Sequence, residues 1–205
     1  MKKILLSLSF LMLSSSVFAM EGDLSLSLTS NYIFRGITQT DDKAAVQANY
    51  QISQAEDAGF YAGGFASNVA EGAEVDIFGG FKFAFGNQNK FVIDVGAIEY
   101  MYTVQKPTFS HDTYVGLQYG MSYIKYNFGE EEARYLDIGT GFVIFGDAEL
   151  LFHFGEVFST AQDGNDFSIS LQKKFARILL GVTATYEDKT PAKKSNTFAY
   201  ITVDF

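Results

Sequence analysis

Apolar and polar residues alternate along most of the chain, and the last ten residues show this pattern clearly. Counting back from Phe205, every second residue down to Ala199 is apolar, whereas Asp204 and Thr202 fall on the opposite phase. Side chains alternate between the two faces of a β-strand, so this stretch is predicted to have one apolar and one polar face. About ten residues is also the length that a tilted strand needs to cross a bilayer. The pattern favours the closing strand of a membrane barrel; the alternative is a strand of a soluble β-sandwich.

The same alternation runs from Gly22 to the C-terminus and divides into about 12 strands, an even number as in bacterial barrels. Tight turns are predicted near Asn87, Tyr119, Gly146 and Lys173, and longer polar loops near Thr40, Glu71, Lys106, Glu131, Asp163 and Pro191. Alternating short and long connections are typical of outer-membrane barrels and have no counterpart in a soluble sandwich. The sequence predicts an all-β fold, a single antiparallel up-and-down transmembrane β-barrel over residues 20–205. Only at the glycine pair Gly63-Gly64 is the phase too blurred to assign faces.

Residues 1–19 have the pattern of a secretory signal peptide. Lys2 and Lys3 precede an apolar run, and the segment ends in small residues around Ala19. Without those two lysines the formal charge of −9 becomes about −11, which argues against nucleic acid as a partner. We expect export to the cell outer membrane, contact with outer-membrane lipid, and recognition by the barrel-assembly machinery through the C-terminal strand ending at Phe205.

The polar face of the strands is expected to point into the lumen. Its predicted pore-lining residues are Asn31 and Arg35, on a first strand that continues to Arg35, and Gln47, Asn49, Glu74, Asp76, Lys82, Asp94, Lys125, Asp137, Glu149 and His153. Such groups line a narrow water-filled channel, or pair with one another and close it. Because a guanidinium can bridge two carboxylates, our hypothesis is that Arg35 joins Glu74 and Asp76 in a cluster that sets pore width and ion preference.

The sequence offers little catalytic or metal-binding chemistry. His111 and His153 are the two histidines, and Glu149 lies about 13 Å from His153 along the same strand face, too far for a hydrogen bond. The acidic tip at residues 130–132 lacks the spacing of a calcium loop. The G-x-G at residues 139–141 lies within a strand and precedes no helix. We therefore expect no catalytic residues, no metal and no cofactor.

Residues 30–52, which read SNYIFRGITQTDDKAAVQANYQI, resemble the opening of the TorF family of porins, also known as the Gcw-type family of bacterial outer-membrane proteins. The matching positions are Ser30, Asn31, Tyr32, Phe34, Arg35, Gly36, Thr38, Gln39, Ala45 and Gln47, followed by the segment 59–68 and by Glu74 and Asp76. Phe65 stands where that family has tryptophan. The resemblance covers the whole mature chain, is densest before residue 80, and implies a porin.

The leading functional prediction is a porin for passive diffusion of small solutes or ions, weakly selective for cations because of its acidic lumen and loops. An alternative is a closed structural or ligand-binding barrel without pore activity. A third, weaker reading is an outer-membrane hydrolase.

Overall fold

The computed structural model describes residues 20–55, 58–86, 91–103, 108–130, 133–158, 163–189 and 192–205. The predicted signal peptide and both prolines lie outside these residues. The strands are β1 (Glu21–Thr29), β2 (Ile33–Phe34), β3 (Ile37–Thr38), β4 (Ala45–Ser53), β5 (Gly59–Val69), β6 (Gly72–Phe85), β7 (Phe91–Tyr102), β8 (Thr108–Tyr119), β9 (Ser122–Gly129), β10 (Arg134–Val143), β11 (Ala148–Phe158), β12 (Gly164–Phe175), β13 (Ile178–Lys189) and β14 (Ala192–Asp204).

Twelve of these strands form one closed antiparallel barrel, and β2 and β3 form a separate two-stranded hairpin. Each barrel strand pairs with its neighbours in the sequence, and β14 closes the ring by pairing with β1, where Leu26 lies opposite Val203. Closure leaves no free sheet edge along the paired length of these two strands. The predicted fold class, strand number and closing strand are confirmed.

Contacts between strands that are not neighbours identify the interior face. The hydroxyls of Tyr61 on β5 and Tyr114 on β8 are in hydrogen-bond contact, although two strands separate β5 from β8. Side chains from strands that are not neighbours can meet only on the concave, interior face of the barrel wall. On the opposite face, Val46, Ile77 and Phe83 are each more than half exposed. The barrel thus has an apolar outer surface and a polar interior, as the alternation predicts.

Two connections are shorter than predicted. Only Ala70 and Glu71 separate β5 from β6, and β13 extends to Lys189 before β14 begins at Ala192. The prediction of longer loops near Glu71 and Pro191 is therefore wrong. The charged residues that suggested a loop belong to the strand ends, where opposite charges can face each other across the β13–β14 pair, as Glu187 does with Lys194.

The connection between β1 and β4 turns into the barrel, and we call it the inserted hairpin (residues 30–44). It contains β2 and β3, which are joined at Arg35 and Gly36 with φ angles of 48° and 81°. Two consecutive residues with positive φ make a type I′ turn, whose twist suits a two-residue hairpin. The prediction that the first strand continues to Arg35 is wrong, because β1 ends at Thr29 and the alternation after it belongs to a second small sheet.

Glycines on the interior face make room for aromatic rings on the adjacent strand. Gly96 lies directly opposite Tyr114, and Gly139 directly opposite Tyr123. Gly181 lies opposite Tyr200 in the same way. A Cβ atom at any of these glycines would overlap the tyrosine ring. These three glycines therefore have a packing role.

This packing predicts different effects for two glycines that occupy the same face of neighbouring strands. A Cβ at Gly96 would lie 2.6 Å from Cζ of Tyr114, whereas at Gly116 the closest atom would be 3.6 Å away. We expect Gly96→Ala to lower the free energy of unfolding by about 1–3 kcal/mol through overpacking. Gly116→Ala should cause no loss. Urea unfolding in detergent would measure both, and equal effects would contradict this packing role.

Candidate functional site in the barrel interior

The inserted hairpin crosses the lumen from one wall to the other. The ring of Phe34 packs on Tyr100 of β7 with centroids 5.7 Å apart. At the tip, a Cβ on Gly36 would lie 2.7 Å from Cβ of Asp166 on β12 and 3.2 Å from Cβ of Glu187 on β13. Because β7 and β12 stand almost opposite each other in the strand order, the hairpin divides the interior.

Arg35 fixes the tip of the hairpin to the far wall. Its guanidinium forms an ion pair with the carboxylate of Asp112 on β8, whose side chain is only 7% exposed. The same guanidinium lies 4.5 Å from the ring centroid of Tyr135 on β10 and 4.9 Å from that of Phe34. A planar guanidinium suits both contacts, because it donates at its edge and stacks with its face.

This geometry corrects the hypothesis that Arg35 bridges Glu74 and Asp76. The hypothesis assumed that Arg35 continues the first strand and points into the lumen toward the acidic pair, both members of which lie on β6. Arg35 instead stands at the end of the hairpin, which carries its side chain across the lumen to Asp112.

Asn31 holds the base of the hairpin together. It is 5% exposed. Its side-chain oxygen accepts a 2.7 Å hydrogen bond from the hydroxyl of Thr38, and its side-chain nitrogen donates a 2.9 Å hydrogen bond to Asp42. Asp42 also receives a 2.8 Å bond from Lys194 of β14, and this hydrogen bond holds the pKa of Asp42 below its usual value. Asn31 therefore lies on the hairpin and not on β1 as the alternation predicted.

The ten other predicted lumen residues lie on the interior face of barrel strands. They are Gln47, Asn49, Glu74, Asp76, Lys82, Asp94, Lys125, Asp137, Glu149 and His153. Their proposed role in lining a pore remains a prediction.

Two groups of these residues form networks along the wall from β5 to β12. In the first, Tyr61 donates a 2.7 Å hydrogen bond to Asp94, and Nζ of Lys82 lies 5.3 Å from the Tyr61 ring centroid. Apart from this network, Glu149 accepts a 2.7 Å hydrogen bond from Gln172; this pair lies nearer the end of the barrel that carries the chain termini. These acidic groups thus have donors within reach.

In the second network, Asp137 lies 3.9 Å from Nζ of Lys125 and 3.1 Å from Nε2 of His153. The other ring nitrogen of His153 lies 3.5 Å from Asp166. Ser168 faces His153 directly across the β11–β12 pair, which raises the question of a serine–histidine site. Both ring nitrogens are directed at carboxylates, however, so neither is aimed at the serine hydroxyl as a general base must be.

Sequence analysis missed three interior acids: Asp112, Asp166 and Glu187. Each lies near the end of a strand that had been assigned in part to a loop. The alternation along the sequence did indicate their position. Asp112 has the same phase as Gly116 and the opposite phase to Val115, and Asp166 and Glu187 likewise fall on the polar phase of their strands. Asp112 stood at the start of a predicted strand, and extending the two later strands by one or two residues would have placed Asp166 and Glu187 inside as well.

Glu74 and Asp76 are the most deeply buried neighbouring carboxylates of the interior. Glu74 is fully buried and accepts a 2.7 Å hydrogen bond from Tyr102, and Asp76 is 7% exposed. The Tyr32 hydroxyl of the hairpin also lies against Glu74; burial, aided by that charge, raises the pKa of Tyr32 far above its usual value. Within the described residues, one oxygen of each acid, Oε2 of Glu74 and Oδ1 of Asp76, has no hydrogen-bond donor.

Cavities lie on both sides of the inserted hairpin. The first has a volume of about 430 Å³ and reaches Arg35, Asp137 and His153. The second, of about 380 Å³, lies toward β1, β4 and β14 and reaches Tyr32 and Asp76. Each is large enough for a small organic solute.

Within the described ranges, no three His, Cys, Asp or Glu side chains converge to hold a metal ion. Across the same part of the chain, no helix has the length and apolar character needed to span a membrane.

The fold of this barrel is similar to that of a porin of known structure. The barrel resembles the KdgM porin with a TM-score of 0.65 and 9% sequence identity, over 89% of this chain and 98% of the porin chain. A second similar structure is the KdgM porin in complex with disordered oligogalacturonate, with a TM-score of 0.62 and 9% identity over 91% and 98% of the two chains. At this identity the likeness concerns the fold.

The sequence itself has no significant match among curated proteins. Residues 14–204 match the family model described as "Bacterial protein of unknown function (Gcw_chp)". The chain therefore belongs to the Gcw_chp family, as its opening motif predicted.

Proposed function

We propose that this protein is an outer-membrane porin that allows passive diffusion of small solutes or ions. The observation that carries the proposal is a closed barrel with an apolar outer face and a charged interior, in which a hairpin leaves cavities of about 430 and 380 Å³ on its two sides. Polar groups inside a barrel are tolerated where they contact water or one another. The hairpin would then set the width of the path.

We further propose a weak preference for cations. Among the interior residues named above, acids outnumber bases: Glu74, Asp76, Asp94, Asp112, Asp137, Glu149, Asp166 and Glu187 stand against Arg35, Lys82, Lys125, Lys194 and His153. Clefts lined mainly by one sign of charge concentrate ions of the other sign. The oligogalacturonate bound by the KdgM porin is an acidic oligosaccharide, and this interior does not favour such an anion.

The outer surface supports the same proposal. Exposed apolar side chains such as Val46, Ile77 and Phe83 would contact lipid. Residues 1–19 would direct export and be removed, leaving 20–205 as the barrel domain. The barrel-assembly machinery would recognise the strand that ends at Phe205. Membership of the narrower TorF group of porins belongs to this proposal too.

Single-channel recording tests the proposal. Protein purified from bacterial membranes in detergent would be added to a planar lipid bilayer under a potassium chloride gradient. We expect discrete ohmic current steps and a reversal potential displaced toward that of potassium. Heat-dependent gel mobility would show that the barrel is folded. A folded protein that produces no current steps would contradict the porin assignment.

One observation favours a closed ligand-binding barrel as the second candidate. The ion pair between Arg35 and Asp112 ties the hairpin across the lumen, which would limit passage if the hairpin never moved. Electrical silence of the folded protein would support this candidate. We propose no enzymatic role, because His153, which faces Ser168 across the β11–β12 pair, has both ring nitrogens directed at carboxylates.

A further inference from the structure

We propose that the cavity beside Asp76 binds primary ammonium ions, small organic amines in their charged form. The inference deepens the proposed porin function by naming a class of solute and rests on the same interior. The amine-binding cavity is the 380 Å³ space on the β1, β4 and β14 side of the inserted hairpin.

The first argument is the charge balance of Glu74 and Asp76. The two acids lie two residues apart on the same face of β6, about 7 Å along the strand. Two other interior acids have a cation nearby: Asp112 pairs with Arg35, and Asp137 lies near Lys125.

Glu74 and Asp76 have tyrosines and each other as neighbours, and no ion pair with a cation is found for them among the described residues. Two buried carboxylates in this position need a bound cation or a shared proton to offset their repulsion.

The second argument is the unused acceptor capacity of the pair. Oε2 of Glu74 and Oδ1 of Asp76 are buried, and neither accepts a hydrogen bond from the described residues. Leaving such an atom without a donor is costly, so native structures rarely do so. A primary ammonium group carries three N–H donors and a positive charge, and it supplies both of the missing features.

The third argument is the aromatic surroundings of Asp76. In the strand register Asp76 lies between Phe65 on β5 and Tyr100 on β7. Tyr32 of the hairpin packs on Phe65 with ring centroids 5.8 Å apart, and it lines the same cavity. Aromatic faces attract cations and also cover alkyl groups. A carboxylate flanked by aromatic rings therefore suits an ammonium group with a short carbon chain.

A bare metal ion fits this site less well. Calcium takes six to eight oxygen ligands, and magnesium requires near-octahedral geometry. Asp76 and Glu74 are the two carboxylates here, and no group of three ligating side chains occurs within the described ranges. The cavity volume is also in the range of small-molecule sites, which start at about 300 Å³.

Calorimetric titration of the detergent-solubilised protein tests the site without requiring a current. The probe is n-butylammonium chloride, and 1-butanol is its neutral analogue. We expect butylammonium to bind at least about tenfold more tightly than 1-butanol, because a charged hydrogen bond and cation–π contacts are available only to the amine. Asp76→Asn should abolish this difference. Equal affinities in the wild type, or an unchanged difference in Asp76→Asn, would overturn the inference.

Two further variants keep the test decisive. Asp147→Asn removes the same charge from an exposed turn with a φ of 60°, which asparagine tolerates, and should leave binding unchanged. Phe65→Leu retains the carboxylate and should weaken butylammonium binding several-fold, so it decides the matter if Asp76→Asn does not fold. Displacement of butylammonium by equimolar calcium would assign the site to metal ions and overturn the amine class.

The outcome is separable from that of the porin proposal. Current steps without butylammonium binding would leave the porin standing and remove the site. Butylammonium binding by an electrically silent barrel would keep the site and remove the porin.

Discussion

Replacing Arg35 by alanine should widen the path through the barrel and lower its stability at once. The substitution removes the side chain that ties the hairpin tip to Asp112. Among the described residues, it leaves that buried carboxylate with one 3.4 Å hydrogen bond, from Tyr100. Loss of one member of a buried ion pair costs about 3–5 kcal/mol; because Arg35 is 22% exposed, we expect about 3 kcal/mol. Single-channel conductance should rise, since the hairpin is no longer held across the lumen.

Two comparisons separate this effect from a general loss of charge. Arg134→Ala removes an exposed arginine from the outer face of β10 and should change neither conductance nor unfolding. In the double variant Arg35→Ala with Asp112→Asn the unpaired charge is gone, so stability should partly return while conductance stays high. If Arg35→Ala left conductance, ion selectivity and stability unchanged, the hairpin would have no role in limiting passage.

Placing a lysine at Ile169 should destabilise the barrel strongly in lipid. Ile169 lies at the middle of β12, faces outward and is 51% exposed, next to Phe152 on one side and Ala184 on the other. A lysine on the lipid face near the bilayer midplane costs about 2–4 kcal/mol. Urea unfolding in phospholipid vesicles would measure the loss.

The adjacent residue provides a control of the same chemistry and strand position. Ser168 points into the lumen, near Asp137 and Asp166 across from His153. A lysine there can reach carboxylates and water, so Ser168→Lys should cost little stability and should reduce the cation preference proposed above. Equal destabilisation by Ile169→Lys and Ser168→Lys would mean that the outer face does not contact lipid.

The sequence predicts the barrel well because the alternation of apolar and polar residues within each strand identifies its two faces. On β10, for example, Leu136, Ile138 and Phe142 face outward, and Asp137 faces the lumen, as the alternation alone indicates. A closed barrel requires every strand to obey the same period of two, so errors at one strand are corrected by its neighbours. Within the barrel strands, the faces could not be assigned around Gly63 and Gly64, where glycines replace informative side chains.

The inserted hairpin could not be predicted in this way. Its two short strands continue the period of two, so residues 31–35 read as an extension of β1. No local sequence pattern indicates that the segment turns inward, because the residues that hold it there are distant in sequence. Asp112 lies 77 residues from Arg35, and only the closed barrel brings the two together. The partner of Arg35 was wrongly assigned for this reason.

The attachment of the inserted hairpin to β1 has a consequence for the order of assembly. Its contacts lie on β5, β7, β8, β10, β12, β13 and β14, and all of these strands come later in the chain than the hairpin. The hairpin cannot be held until those strands have curved into the opposite wall, and β1 itself is fixed on both sides only when it meets β14. Docking of Arg35 on Asp112 therefore belongs to the last stage of folding, so an incompletely closed barrel would retain an undocked hairpin.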